Sequence, residues 1–276
     1  MATSIAELIA DRMDAMPTGE KRAAQTLIAN YPLIGLKTVA DFSHQAGVSS
    51  PTILRFIARL GFHNYAEFQS ALQDELAAQL QSPLTRTTQP SPARGRTAQT
   101  VDATLENIRG TFQHVSDRQI RDIVALLSNR RCGIHLVGGR FTDPIARYMA
   151  AHLTIVRSNV SHLAGQESNW RDRLIDMGKR DVLVVFDIRR YQDSLLRFAE
   201  MAAKRGIHIV LVTDQWLSPI ARFSRHVIAG RTAVPSAWDS SAALFVIAEI
   251  LIGELTRALE TESRGRIREM EALRGG

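Results

Sequence analysis

Two hydrophobic periods divide the chain. Up to about residue 80, apolar side chains recur at three- and four-residue steps, the spacing of helices that bury one face. The pattern predicts helices over Ile5 to Met16 and over Glu20 to Asn30, the second capped by Thr18. Between Thr38 and Phe62 it predicts two short helices joined by a tight turn. In the first, Val39, Phe42 and Ala46 share a face, while Asp41, Ser43 and Gln45 fall opposite. Gly47 ends it, since glycine takes the left-handed conformation that lets a chain leave a helix at a steep angle, and Val48 is an apolar plug. Ser49 or Ser50 then caps the next helix and Pro51 sits at its first position, where a missing N–H is harmless. Ile53, Leu54, Ile57 and Leu60 form its buried stripe, Ser50, Thr52, Arg55 and Arg59 face outward, and Gly61 closes it.

A helix pair of this shape can read DNA. The N-terminal end of the second helix enters the major groove, where short hydroxyls and arginine reach base edges and phosphates. The candidate DNA-binding residues are Ser49, Ser50, Thr52, Arg55 and Arg59. The alternative at this point is an ordinary helical hairpin whose arginines are solvated.

From Val101 the period changes to short apolar runs alternating with helical segments. Val101 to Val115, Ile120 to Ser128, Asp143 to Leu153 and Ser194 to Lys204 have the helical spacing. Cys132 to Val137, Val182 to Phe186, Ile207 to Thr213 and Val227 to Ala229 have that of buried strands, and Ser240 to Glu262 is a long closing helix. Such alternation implies a mostly parallel sheet covered on both faces. The intervening segment from about Ser82 to Thr100 carries Pro83, Pro90 and Pro92 among small polar residues and cannot bury enough surface to order itself, so it is expected to be a linker. The expected domains are therefore 1–80, a linker at 81–100, and 101–276.

In a parallel sheet the ligand sits beyond the carboxyl ends of the strands. That places Gly138, Gly139, Arg140 and Thr142, after the first strand, in a candidate site whose glycines allow a ligand close to the backbone. Ser236 and Ser240 are added from the segment before the last helix, where Asp239 or Ser240 is the expected cap and Trp238 lines either a pocket or a subunit contact.

Composition narrows the class further. The chain has 276 residues, is 45% hydrophobic and 22% charged, and has a net charge of +6 with a pI near 10.0, which favours an anionic partner. Cys132 is the one cysteine. It excludes an internal disulfide, fits a reducing cytoplasm, and in an apolar run reads as a packed thiol. The longest apolar run, Ala242 to Leu255, contains Glu249 and Glu254 and is too short to span a bilayer. No signal peptide, metal-ligand cluster, GxSxG or HExxH motif is evident, and no cofactor or metal is expected.

Two stretches resemble a known family. Ala46-Gly47-Val48-Ser49, Thr52-Ile53-Leu54-Arg55-Phe56 and the run Leu60-Gly61-Phe62-His63-Asn64-Tyr65-Ala66-Glu67-Phe68 resemble the head of the RpiR-type transcriptional regulators. IHLVGGRFTDPIARYMA, beginning at Ile134, and the segment from Asp181 to Ile228 resemble the SIS (sugar isomerase) domain that follows the head in that family. The resemblance implies a multidomain protein: an all-α helix-turn-helix head, then a three-layer α/β SIS domain with a mostly parallel sheet. It also implies a cytoplasmic regulator that binds a double-stranded operator and senses a small effector, commonly a phosphorylated sugar; because one recognition helix reads only a few base pairs, a homodimer or homotetramer is expected.

One departure stands out. Family members that bind sugar phosphates carry hydroxyls in both ligand loops; here Thr142 matches the first, but Asp187 stands where a serine is expected in the second. A carboxylate beside a phosphate costs several kcal/mol at partly buried distances unless a cation intervenes. Arg140, Arg189 and Arg190 are placed to intervene; Asp187 equally suits a polyol or ammonium group, and a solvated ion-pair cluster is the third reading. Aldose–ketose isomerisation is the competing function, with Glu167, His152 and His162 as the available acid–base groups. No spacing pairs them.

Overall fold

The computed structural model describes residues 3–80 and 95–275. Five helices form the head: α1 (Ile5–Arg12), α2 (Thr18–Ala29), α3 (Val39–Ala46), α4 (Ser50–Leu60) and α5 (Tyr65–Leu80). Gly47, at φ 61°, turns α3 into α4. Phe42 of α3 and Phe56 of α4 meet edge to face at 6.3 Å between centroids in a core completed by Leu27, Ile53, Ile57, Phe68 and Leu72.

Details of this head depart from the sequence expectation. Helix α1 stops at Arg12, before Met16. Pro17, not Thr18, occupies the N-cap of α2, and no side chain caps it. Ser49 occupies the N-cap of α4 without accepting a backbone N–H; its hydroxyl pairs instead with Thr52 Oγ1 at 2.9 Å. Leu54 is 45% exposed and Phe56 takes the buried place assigned to it, because an 11-residue helix against a single core seals only a narrow stripe.

The linker expected at 81–100 lies outside the described residues up to position 94. Beyond it Arg96 already begins α6 (Arg96–His114), so residues 96–100 are helical. There follow α7 (Asp117–Leu127), β1 (Ile134–Gly138), α8 (Asp143–Val156), β2 (Val160–His162), α9 (Glu167–Arg173), β3 (Val182–Asp187), α10 (Asp193–Lys204), β4 (His208–Asp214), a 3-10 turn at Pro219–Phe223, β5 (His226–Gly230), α11 (Ala242–Ala258) and α12 (Glu260–Arg274). The expected single closing helix is broken at Leu259 into the last two.

The strands form one parallel sheet in the order β2-β1-β3-β4-β5. Every residue of central β3 is buried, as a strand covered on both faces requires. Helices α7, α8 and α11 cover one face and α9 with α10 the other, which gives three layers. Buried Cys132 donates its thiol to the Asn129 carbonyl at 2.9 Å. Among the described residues, no helix is long and apolar enough to cross a membrane.

The head is docked on this layer structure. Leu217, before the 3-10 turn, belongs to the head's core cluster, and α2 packs against that turn. Arg231, after β5, donates to Glu7 of α1 at 2.6 and 3.1 Å, with both side chains under a tenth exposed. A Cβ on Gly110 of α6 would lie 2.4 Å from the Arg231 guanidinium, so a larger residue there would push on the arginine that the ion pair holds. Around this pair, His114 of α6 meets Asp11 at 2.7 Å.

Truncating Arg231 leaves Glu7 buried without its counter-charge, a loss worth about 3–5 kcal/mol where such pairs are broken. Arg231→Ala is therefore expected to lower the unfolding midpoint in urea strongly, and Glu7→Gln with Arg231→Met together to restore part of the loss. A wild-type midpoint for Arg231→Ala would show the pair to be dispensable.

Candidate functional site

A cavity of about 810 Å³ opens where β1 and β3 end. Its floor is the β1–α8 turn. Gly138 is required there, since a Cβ would lie 2.4 Å from the Asp143 backbone nitrogen. Thr142 is 1% exposed; its hydroxyl donates to the Phe186 carbonyl at 2.5 Å and accepts the Gly139 N–H at 2.9 Å. The threonine that the sequence offers as an effector contact thus stitches β1 to β3.

Asp187 has a similar fate. It is 2% exposed and accepts the Ser218 hydroxyl at 2.5 Å and a backbone hydrogen bond from Gln192. Burial pushes its carboxyl up to about 7, with the neighbouring Asp214 adding to the rise. Asp214, at the end of β4, is pushed up to about 6, again chiefly by burial. It accepts the Tyr191 hydroxyl at 2.7 Å, the Trp216 N–H at 3.1 Å and the backbone N–H of Arg189. Together the two carboxylates pin the β3–α10 loop to the loop after β4.

Arg189 is not part of a solvated cluster. Its side chain is 8% exposed, pairs with Asp239 through two nitrogens, one at 2.7 Å, and lies 5.1 Å from the Trp216 ring centroid. Its remaining nitrogen donates to the Ala78 carbonyl in the last turn of α5, at 3.3 Å. Asp239 is therefore engaged by Arg189 rather than capping α11, which starts at Ala242 with Ser241 in the cap position.

Arg140 and Arg190 remain exposed at the cavity, and Arg190 adds to the positive charge that Asp239 senses. Arg190 holds φ at 66°, a left-handed backbone rare for a side chain of its size and concentrated at functional loops. On the opposite side Gln192 donates to Glu167 and to Ser194. Ser236 and Ser240 line no part of the cavity; their hydroxyls accept the Trp238 and Ala242 N–H groups at 3.2 and 3.3 Å. Of the isomerase candidates, Glu167 lines the cavity, His162 is paired with Asp143 at 2.7 Å, and His152 lies exposed on α8 against the Tyr148 carbonyl. The described residues hold no group of three or more potential metal ligands.

Helix α4 is the second candidate site. Ser49, Arg55 and Arg59 are exposed and Thr52 half-buried beside them; Arg55 donates to Thr52 Oγ1 at 3.1 Å. Ser50 points inward, its hydroxyl 3.2 Å from that of Ser43. Arg59 is paired with buried Glu20 at 2.5 Å. Residues 1–80 carry six Lys and Arg against eight Asp and Glu, so the basic excess of the chain does not reside in the head. The distribution within the head compensates. Glu7, Glu20 and Glu75 are occupied by Arg231, Arg59 and Tyr31, whereas Arg12 and Arg22 reach the carbonyls of Arg59 and Gly47 at either end of α4.

Sequence reasoning missed β2, α9 and the bracing roles of Asp214, Tyr191 and Ser218. Asp214 could have been found, because it ends a buried strand where a carboxylate needs partners; Gln192 and Trp170, which also line the cavity, have no such signal.

A helix-turn-helix head fixed to a three-layer domain with a strand-end cavity defines a two-part protein, one part shaped like a nucleic-acid reader and the other like a ligand-binding domain. Residues 3–79 match the helix-turn-helix domain of the rpiR family, and residues 126–252 match the SIS domain. The chain belongs to the RpiR-type transcriptional regulators. An HTH-type transcriptional regulator of Haemophilus influenzae is 21% identical, with 91% of each chain covered. The bifunctional protein glk of Burkholderia thailandensis is 23% identical over 80% of this chain, which spans only 34% of that relative's length. Among solved structures, the sugar isomerase domain of an RpiR transcription factor from Sphaerobacter thermophilus superposes with a TM-score of 0.59 at 20% identity, covering 65% of this chain and 99% of that one. The Vibrio vulnificus NanR protein complexed with ManNAc-6P superposes with a TM-score of 0.56 at 15% identity, covering 98% and 97%.

The raised pKa of Asp187 has a definite sign. A carboxyl whose folded pKa exceeds its unfolded value stabilises the fold below the unfolded value and loses that contribution as pH rises through the folded one. Wild-type protein is expected to lose thermal stability between about pH 4 and pH 7. Asp187→Asn keeps the Ser218 and Gln192 bonds without the charge. It should lose less over that interval, becoming the more stable protein at pH 8 by on the order of a few kcal/mol, while Asp214 retains part of the slope. Parallel stability curves for the two proteins from pH 5 to 8 would contradict the assignment.

Proposed function

We propose that the protein is an operator-binding regulator whose SIS cavity takes a polar, sugar-type effector. The observation that carries the reading is the free outer row of α4: Ser49, Thr52 and Arg55 stand in or at solvent in its first turns while Ile53, Phe56, Ile57 and Leu60 seal the face beneath. That geometry suits insertion of the N-terminal half of a helix into the major groove. Arg55 and Thr52 read base edges, Ser49 and the flanking Arg12 and Arg22 serve phosphates, and Arg59 acts chiefly through its bond to Glu20. One such helix spans only a few base pairs, so the acting species is a homodimer or homotetramer on a symmetric operator. The division into a head at 1–80, a connector at 81–100 and a sensor at 101–276 belongs to this reading, with 96–100 serving as the first turn of the sensor's α6, as does a cytoplasmic setting.

The sensor binds rather than turns over its effector. Glu167 is the one isomerase candidate that lines the cavity, where it accepts from Gln192, and His162 and His152 are engaged elsewhere. With the Thr142 hydroxyl and Asp187 spent on internal bonds, Arg140 and Arg190 are left to meet an anionic group on the effector, and Glu167 with Gln192 to meet its hydroxyls. NanR, whose structure holds ManNAc-6P, supports the choice of a sugar derivative as the class to screen. Signal passes through Arg189, which lines the cavity and also holds the Ala78 carbonyl of the head; an effector acts on DNA binding only through its differential affinity for the two head positions.

Arg55→Ala should weaken binding to operator-containing DNA by about 1–3 kcal/mol, with a relaxed preference at the base it reads. A gel-shift titration against genomic fragments, at fixed salt, measures it; unaltered affinity removes Arg55 from the reading set, and a chain that protects no fragment removes the function. Arg189→Met should leave effector affinity of the isolated protein within about threefold while reducing the effector-induced change in operator affinity by about 1 kcal/mol or more, within the usual range of couplings. An undiminished response would exclude the Arg189 route.

A further inference from the structure

We infer that the effector cavity continues into a second compartment that selects a flat aromatic substituent on the sugar, stacked against Phe141 and Trp238; this rests on the reading of the cavity as a sugar-effector site. Phe141 lies in the β1–α8 loop and Trp238 in the segment before α11, yet their ring centroids are 5.7 Å apart. They are 51% and 58% exposed. Two large aromatic rings held together in solvent at the lip of a cavity are an apolar surface that calls for an occupant. Beside them is a chamber of about 280 Å³ that shares Phe141, Ile188, Arg190 and Trp238 with the main cavity.

The two chambers differ in chemistry. Phe141, Ile188, Ala237 and Trp238 give the smaller one apolar walls; of its charged residues Arg189 and Asp239 neutralise each other, and Arg190 stands at the border with the larger chamber. Arg140, Glu167 and Gln192 belong to the larger one alone. A ligand with a polyol body and an apolar end matches this gradient, with the body in the large chamber. The rings are inclined at 56°, so a flat group laid against the outside of the pair can lie offset over one and edge-on to the other, the two arrangements aromatic groups prefer. The small chamber falls just below the volume of a complete ligand pocket, about 300 Å³ upward, and suits one substituent. Arg190, on the wall common to both chambers, sits where sugar and substituent join.

The experiment uses the full chain and matched pairs of methyl and phenyl glycosides of glucose, galactose, mannose, N-acetylglucosamine and glucuronic acid, ranked by thermal shift and measured by calorimetry. At least one phenyl glycoside is expected to bind about tenfold or more tightly than its methyl partner, equivalent to about 1.4 kcal/mol. Phe141→Ala and Trp238→Ala, both surface truncations, should abolish that advantage, so that phenyl-glycoside affinity falls about tenfold further than methyl-glycoside affinity does. Equal affinities within every pair that binds, or a phenyl advantage that survives both variants, would overturn the aromatic compartment while leaving the sugar-effector reading standing. A shift in the monomer–oligomer equilibrium by Trp238→Ala without any change in phenyl affinity would assign the ring pair to a subunit contact and overturn it equally. Failure of every glycoside to bind while hexose 6-phosphates do bind would overturn the compartment alone; failure of the glycosides and of the hexose 6-phosphates together would remove the sugar-effector reading itself, and the compartment with it.

Discussion

The cavity hangs on two carboxylates taken out of water at the ends of adjacent strands. Asp187 ends β3 and Asp214 ends β4, and burial raises both toward neutrality. Charges so placed are tolerated only when hydrogen bonds replace the lost solvent. The replacements come from Ser218, Gln192, Tyr191, Trp216 and the Arg189 backbone, which are the residues that define the loops around the site. Satisfying the acids and shaping the cavity are therefore one event. The same event fixes the Arg189 backbone, and with it the side chain that pairs with Asp239 and touches α5.

A second buried charge pair, Glu7 with Arg231, sets the position of the head. Burying an ion pair contributes little net stability, since desolvation offsets most of the attraction. Its directional geometry gives it another use, because a head shifted by a few ångströms would leave both charges unpaired. The docked head is thus held by this buried pair, by the flanking His114–Asp11 and Arg189–Ala78 contacts, and by packing of α2 on the 3-10 turn. Directional contacts of this kind favour discrete arrangements over a continuum, which is the property the proposed effector response would use.

Electrostatics divides the labour within the head as well. Its formal charge is slightly negative, which removes the simple argument that a basic chain means a basic DNA-binding domain. What matters is which charges are free. The buried glutamates are paired inward, and the arginines around α4 point to the surface on which DNA would lie. A phosphate backbone senses that local face within a Debye length of about 8–10 Å and not the summed charge of the chain.

The sequence by itself determined the two-part architecture, the helix–turn–helix with its glycine turn, and the strand-end location of the cavity. Each follows from local rules: a three-to-four residue period, a left-handed glycine, and alternation of strands with helices. Tertiary structure alone decided which polar groups remain free. Thr142, Asp187, Arg189, Ser236 and Ser240 look like ligand contacts in a linear reading, yet their bonds are satisfied by Phe186, Ser218, Asp239, Trp238 and Ala242. Apart from the two serines' nearest neighbours, those partners lie 31 to 50 residues away. No local pattern carries information over that separation, because whether a side chain faces a ligand or a neighbour depends on which distant strand the sheet sets beside it. For the same reason the pairing of Phe141 with Trp238, and the seating of Arg231 on Glu7, could be seen only once the chain was folded.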